Sequence, residues 1–192
     1  MKTLIVYIHL IAACIAIGIL LIQDLALAKS LGKPLSKTAI QELSKSADVM
    51  FVALVALWVS GLTLVVIGYL DDPQQYLFNE KLWAKYTVVS ILTLNGLLLH
   101  FFSFARITSP SGLLTFSAHE QILVVVTGAI SSVSWLFACY LGIARNWNHN
   151  VSYEFVMTVY GAFLFIAFLV AGSVLYNLHR KDSCEFPQNF YS

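Results

Sequence analysis

The chain has 192 residues, 59% of them hydrophobic and only 11% charged, with a mean hydropathy of +0.79. A soluble domain of this length cannot hide so much apolar surface, so the composition excludes an ordinary globular enzyme and points to an integral membrane protein. A formal net charge of +1 excludes a basic surface for nucleic acid.

Five apolar runs are long enough to cross a hydrocarbon core, at about 3–28, 50–70, 83–107, 121–143 and 153–178. Helices satisfy every backbone polar group internally in lipid, so the predicted fold class is all-α, a single polytopic helix bundle whose first partner is the bilayer. The first run, VYIHLIAACIAIGILLIQDLALA, carries His9 near its start and Asp24 near its end. Ala26-Leu27-Ala28 imitates a signal-peptide cleavage site, but the apolar stretch exceeds the usual 7–15 residues and is interrupted by Asp24, which favours a retained span.

The first connection holds Lys29, Lys33, Lys37 and Lys45, with Gly32 and Pro34 as breakers. Leu35, Ala39, Ile40, Leu43 and Ala47 then recur at helical spacing, predicting a short amphipathic helix at the interface or an inward extension of the second span. The second connection, DDPQQYLFNEKLW, reads as a short outer loop with interfacial aromatics Tyr76, Phe78 and Trp83. TSPSGLLTFSAHE reads as a cytoplasmic turn, and Trp147 and Tyr153 mark the outer boundary of the fourth connection. With Arg106, Arg180 and Lys181 added to the four lysines of the first connection, seven basic residues fall on one face against Lys2, Lys81, Lys85 and Arg145 on the other. The bias places the N-terminus outside and the C-terminus in the cytoplasm.

Within the spans, Gly128, Ser131, Ser132 and Ser134 on the fourth and Gly161, Ala167, Ala171 and Gly172 on the fifth suit close helix packing, within the chain or against an oligomeric or membrane-protein partner. Cys14 and Cys139 are expected as small buried hydrophobes, and Cys184 falls in the tail. No internal repeat is visible. The connections hold no phosphate loop, nucleophile elbow, HExxH or CxxC motif.

Intramembrane polar residues are costly and face bundle interiors, where they find partners. His9 and Asp24 are 15 residues apart, as are Lys85 and His100 on the third span, which runs in the same direction; each pair is separated by about 22 Å of helix rise. His9 is therefore expected beside Lys85 at the outer level, and Asp24 beside His100 at the inner one, with Asn95 adding an interhelical hydrogen bond and His119 and Glu120 approaching from the fourth span. Their spacing lacks a dense metal motif, so no metal site is assigned. A membrane histidine is also a way of holding haem iron. For haem at His9 the ligands available at the same depth are Met157, Tyr160, Lys85 or a second His9 across a dimer. Simple snorkelling of Lys85 to the outer interface is the plainer reading of that residue.

HLIAACIAIGILLIQDLALAKSL, SADVMFVALVALWVSGLTLVVIGYL and YLFNEKLWAKYTVVSILTLNGLLL together resemble an uncharacterised bacterial inner-membrane family, a compact four-helix membrane unit of unknown function. The resemblance covers about the first 107 residues and rests on His9, Asp24 and Trp83-Ala84-Lys85. It implies a helical membrane unit and no particular reaction. More loosely, the chain is similar to membrane proteins of copper resistance and to the haem-associated protoporphyrinogen oxidase, through the histidine of the first helix and the basic entry to a later one. It departs from them in having no tryptophan after His9 in the first span and in the Lys85-to-His100 spacing. Three functions are compatible with these residues: a haem- or redox-associated membrane protein using His9, a proton- or ion-linked transport unit using Asp24, Lys85, Asn95 and His100, and a non-catalytic subunit or scaffold of a membrane complex.

Overall fold

A computed structural model describes residues 2–29, 35–109 and 116–185. Seven α-helices follow in chain order: α1 (Lys2–Lys29), α2 (Lys37–Asp71), α3 (Pro73–Leu77), α4 (Glu80–Leu98), α5 (Phe104–Ile107), α6 (Ala118–Ile143) and α7 (Tyr153–Glu185). A π-helical turn, Leu99–Ser103, joins α4 to α5, and a 3₁₀ turn, Arg145–Trp147, follows α6. Five helical stretches are long and apolar enough to cross a membrane, so the chain is an all-α bundle of the expected class. The breakers Gly32 and Pro34, with Lys33, lie outside the described residues, as do residues 110–115 of the third connection.

The amphipathic segment of the first connection is no separate helix. Ser36 caps α2 by accepting a hydrogen bond from the Ala39 amide at 3.2 Å, and from there the helix runs 35 residues without a break. At 1.5 Å per residue it is about 52 Å long, well beyond a hydrocarbon core of about 30 Å. Leu35, Ala39, Ile40, Leu43 and Ala47 are half-buried while their neighbours Lys37, Thr38, Glu42 and Lys45 are exposed, so the extension keeps the face that its spacing predicts.

Helix packing divides the bundle into two close pairs, α1 with α2 and α4 with α6, and α7 lies against α6 and α4. Between the pairs, Ala16 and Leu20 of α1, Ala53 of α2, Leu92 of α4 and Trp135 of α6 form one apolar core. A second core joins Ala84 and Val88, Phe137 and Leu141, and Val156 and Tyr160 from α4, α6 and α7. Small residues sit where backbones approach and aromatics fill the wider gaps, which is how packing holds helices together once lipid is the solvent.

Polar contacts fasten the two ends. At one end Lys81, 6% exposed, donates to the Ala144 carbonyl at 2.7 Å and to Asn148 at 3.1 Å, and Lys2 pairs with Asp71 at 3.6 Å. Glu80 there accepts from the Tyr153 amide, tying the start of α7 to the start of α4. At the other end Arg106 meets Glu120 at 3.0 Å, Glu120 accepts from Ser117, and His179 shares a hydrogen bond with Gln121 at 2.7 Å. These layers lie about one membrane thickness apart along α4, 25 residues from Lys81 to Arg106.

Two packing expectations fail. A methyl group placed at Gly128, Gly161 or Gly172 would meet no atom within 4 Å, so these glycines mark no close helix contact within the chain; α7 docks instead through Val156, Tyr160 and Leu164. Cys14 is exposed on the outer surface of the bundle rather than buried, while Cys139 is half-buried. Trp135 touches both pairs at once, and Trp135→Ala is expected to lower stability by about 3 kcal/mol. Thermal unfolding in detergent checks this; a loss below about 1 kcal/mol would show that the two pairs do not share a core there.

Candidate functional site

On α1, Ala12, Ala16 and Leu20 form a buried row at intervals of four residues. His9 and Asp24 border that row at its two ends, so both point from α1 toward the other helices. His9 Nδ1 lies 2.8 Å from the Ser60 hydroxyl of α2. Ser60, itself 6% exposed, also lies 2.5 Å from the Ala56 carbonyl one turn back on its own helix. A serine has one proton to give. Because the carbonyl can only accept, Ser60 donates there and His9 Nδ1 donates to Ser60, which leaves Nε2 of the neutral ring with its electron pair. Gly61 brings α2 close at this level: a Cβ there would stand 3.5 Å from the imidazole.

Lys85 of α4 is the electrostatic neighbour of His9, and of Cys139 on α6. The expected meeting of His9 and Lys85 at one level is present. The ammonium does not extend to the surface: it sits near Gly142, half-buried, and no acceptor among the described residues bonds it. By contrast Lys81, one turn earlier, has both its acceptors. This end of the bundle thus brings together an oriented imidazole and an ammonium from two different helix pairs.

Asp24 does not meet His100. Its Oδ2 lies 2.7 Å from the Ser132 hydroxyl, near the middle of α6. His100 is exposed and stands edge-on to Phe101. The reason is phase: α4 turns its buried stripe inward through Lys81, Ala84, Val88, Leu92 and Asn95, and five residues past Asn95 a helix has rotated about 140°, carrying His100 off that stripe. Equal spacing along two helices matched their rise but not their rotation.

Asn95 does make its interhelical bond, donating to the Thr127 carbonyl at 2.9 Å, and its Oδ1 is buried without a partner. Ser103, fully buried, joins the same seam through the Thr127 hydroxyl at 2.8 Å. This contact depends on the π-helical turn, which adds a residue to the helix and resets its facing, a feature frequent at functional positions and invisible to regular periodicity. His119 is exposed at the start of α6, where its neighbour Glu120 takes the ion pair. Tyr160 and Met157 are not beside His9. Tyr160 is 2% exposed against Phe137 and its hydroxyl is engaged by Ser134 at 2.7 Å; Met157 packs on that same α4–α6–α7 core. Neither is placed to share a ligand with His9 in one chain. No group of three His, Cys, Asp or Glu side chains suited to a metal occurs among the described residues.

A separate apolar recess opens between α2, α3 and α4, lined by Val65, Tyr69, Tyr76, Leu82, Trp83 and Tyr86. Trp58 borders this region, stacked on Tyr86 and donating its Nε1 to Thr93 at 3.0 Å. The Tyr76 ring packs over Gly68, and a side chain at that position would push the end of the ring aside.

The pairing of Asp24 is open to a double-mutant cycle. Asp24→Asn and Ser132→Ala are expected to couple by at least about 0.5 kcal/mol in unfolding free energy, whereas Asp24→Asn and His100→Ala should add to within about 0.3–0.5 kcal/mol. Coupling to His100 in place of Ser132 would reverse the assignment. Comparison with family models, curated proteins and solved structures gives no match to this chain.

Proposed function

We propose that the chain is a small multi-pass protein of a bacterial inner membrane that binds haem, or a redox cofactor of the same chemistry, in the outer half of its bundle. The observation that carries this reading is the imidazole of His9, held through Nδ1 by Ser60 so that Nε2 offers an electron pair, with the Lys85 ammonium beside it. Such a donor set suits a ligand with one electron-pair-accepting centre and an anionic edge, and haem has both in its iron and its carboxylates. When bound, haem supplies one-electron chemistry. The chain's own part is orientation and charge: Ser60 fixes the ring, and Lys85 offers an acidic group an ammonium that no acceptor among the described residues bonds. Tyr160 and Met157, which belong to another core, would not join His9 in holding the group. The first-helix histidine, shared with the resembled haem-associated family, supports the same reading.

The test is the absorption spectrum of the detergent-purified protein expressed with haem supplied. A Soret band is expected, lost in His9→Ala and weakened in Lys85→Met, with Ser60→Ala intermediate because it frees the ring to rotate. A stable, colourless protein under these conditions would sink the reading.

The proposed orientation has the N-terminus outside and the tail in the cytoplasm, from the seven-to-four excess of basic residues on the tail's face. A membrane-impermeant thiol reagent applied to intact cells should leave Cys184 unlabelled, and labelling only after permeabilisation is the expected result. Labelling from outside would invert the topology.

A further inference from the structure

A second polar contact, independent of the His9 site, carries a proposal of its own. Asp24 stands one turn beyond Leu20 on α1 and reaches Ser132, eleven residues from Ile143 and twelve from Glu120 on α6. The contact is therefore about 16 Å along α6 from Ile143 and about 18 Å from Glu120. The same Ser132 hydroxyl lies 3.1 Å from the Gly128 carbonyl, the bond that a serine within a helix makes to the preceding turn. One hydroxyl proton cannot fully serve a carbonyl and a carboxylate together.

We propose that Asp24 is an intramembrane proton-binding site, its carboxyl carrying a proton at neutral pH and donating it to Ser132, while Ser132 donates to the Gly128 carbonyl. The chain carboxyl, hydroxyl, carbonyl then uses each proton once and places no net charge in the apolar zone. An ionised Asp24 would instead have one shared donor, where a carboxylate offers about four acceptor sites, and a charge bared to the membrane is the costlier state. Among the described residues no ion pair neutralises it. α1 packs against α2 and α6. From α6 the facing group is Ser132. On α2, Ser46 accepts from Gln23, the chain neighbour of Asp24, at 2.7 Å, and among the described residues the exposed Lys45 and Asp48 make no ion pair with Asp24. On α1 itself Lys29 is five residues on, about 140° around the helix. Because Asp24 is exposed at the bundle surface, its proton can be reached from the membrane phase.

Two measurements on the full chain in lipid test the site. A hydrophobic carbodiimide adds to protonated carboxyl groups from within the bilayer. At pH 7 it is expected to label Asp24 at least about tenfold more than Asp71, which pairs with Lys2 at the end of the bundle, with labelling falling as pH rises and Ser132→Ala changing the pH at which it falls. Infrared spectroscopy should show a protonated-carboxyl band at pH 7 that Asp24→Asn removes. If the band titrates away near the ordinary aspartate value of about 3.9, or the label at pH 7 is no greater on Asp24 than on Asp71, the proposal fails. Should Asp24→Asn not accumulate, labelling of the unaltered chain across pH decides the matter. Neither readout depends on whether His9 binds haem.

Discussion

The α4–α6 pair is fastened at three heights, and the other helices are placed by it. Lys81 holds the end of α6 through the Ala144 carbonyl, Asn95 and Ser103 meet Thr127 in the middle, and Arg106 meets Glu120 at the far end. Each fastening involves a group too polar to be left bare in lipid, so separating the helices would expose several at once. α7 packs on the joined surface of the pair, and α1 and α2 bring their core residues to Leu92 and Trp135 on its other side. The constraint is one of mutual satisfaction: apolar packing selects which faces meet, and the polar bonds fix their height.

The same constraint explains why the outer constellation can exist. His9 and Lys85 come from different pairs, and the gap between those pairs is bridged by large side chains such as Trp58, Tyr86 and Trp135 rather than by close backbone contact. Lys81 and Lys85 show a contrast on one helix: four residues apart, the first bonds the end of α6 and its following turn, while the second lies near Gly142 of α6 with no bonded acceptor among the described residues.

The five helices were legible because lipid imposes a length and an apolarity that few other requirements mimic. The inward extension of α2 was legible too, since Ile40, Leu43 and Ala47 keep helical spacing through a basic segment. The meeting of His9 with Lys85 followed from counting rise along parallel spans. Partners were harder. Asp24 was matched to His100 by height, yet two helices must agree in rotation as well, and the rotation of α4 is set by where Asn95 and Leu92 are buried. Ser60 and Ser132 drew no particular attention as partners because a serine within a helix is common and its usual bond is to its own backbone. Tyr160 and Met157 share a helix face that looks inward, but toward Phe137 rather than toward α1.

The π-helical turn at Leu99–Ser103 makes the Arg106 end of the bundle depend on a count of residues as well as on their kinds. Its extra residue sets the facing of Ser103 toward Thr127 and that of Arg106 toward Glu120. A chain shortened by one residue in this turn would keep every side chain needed for those bonds and still aim them about 100° away. Related chains would therefore conserve length through this turn more strictly than they conserve the exposed side chains Phe101 and Phe102 within it, so that a gap in an alignment there would be more disruptive than a substitution.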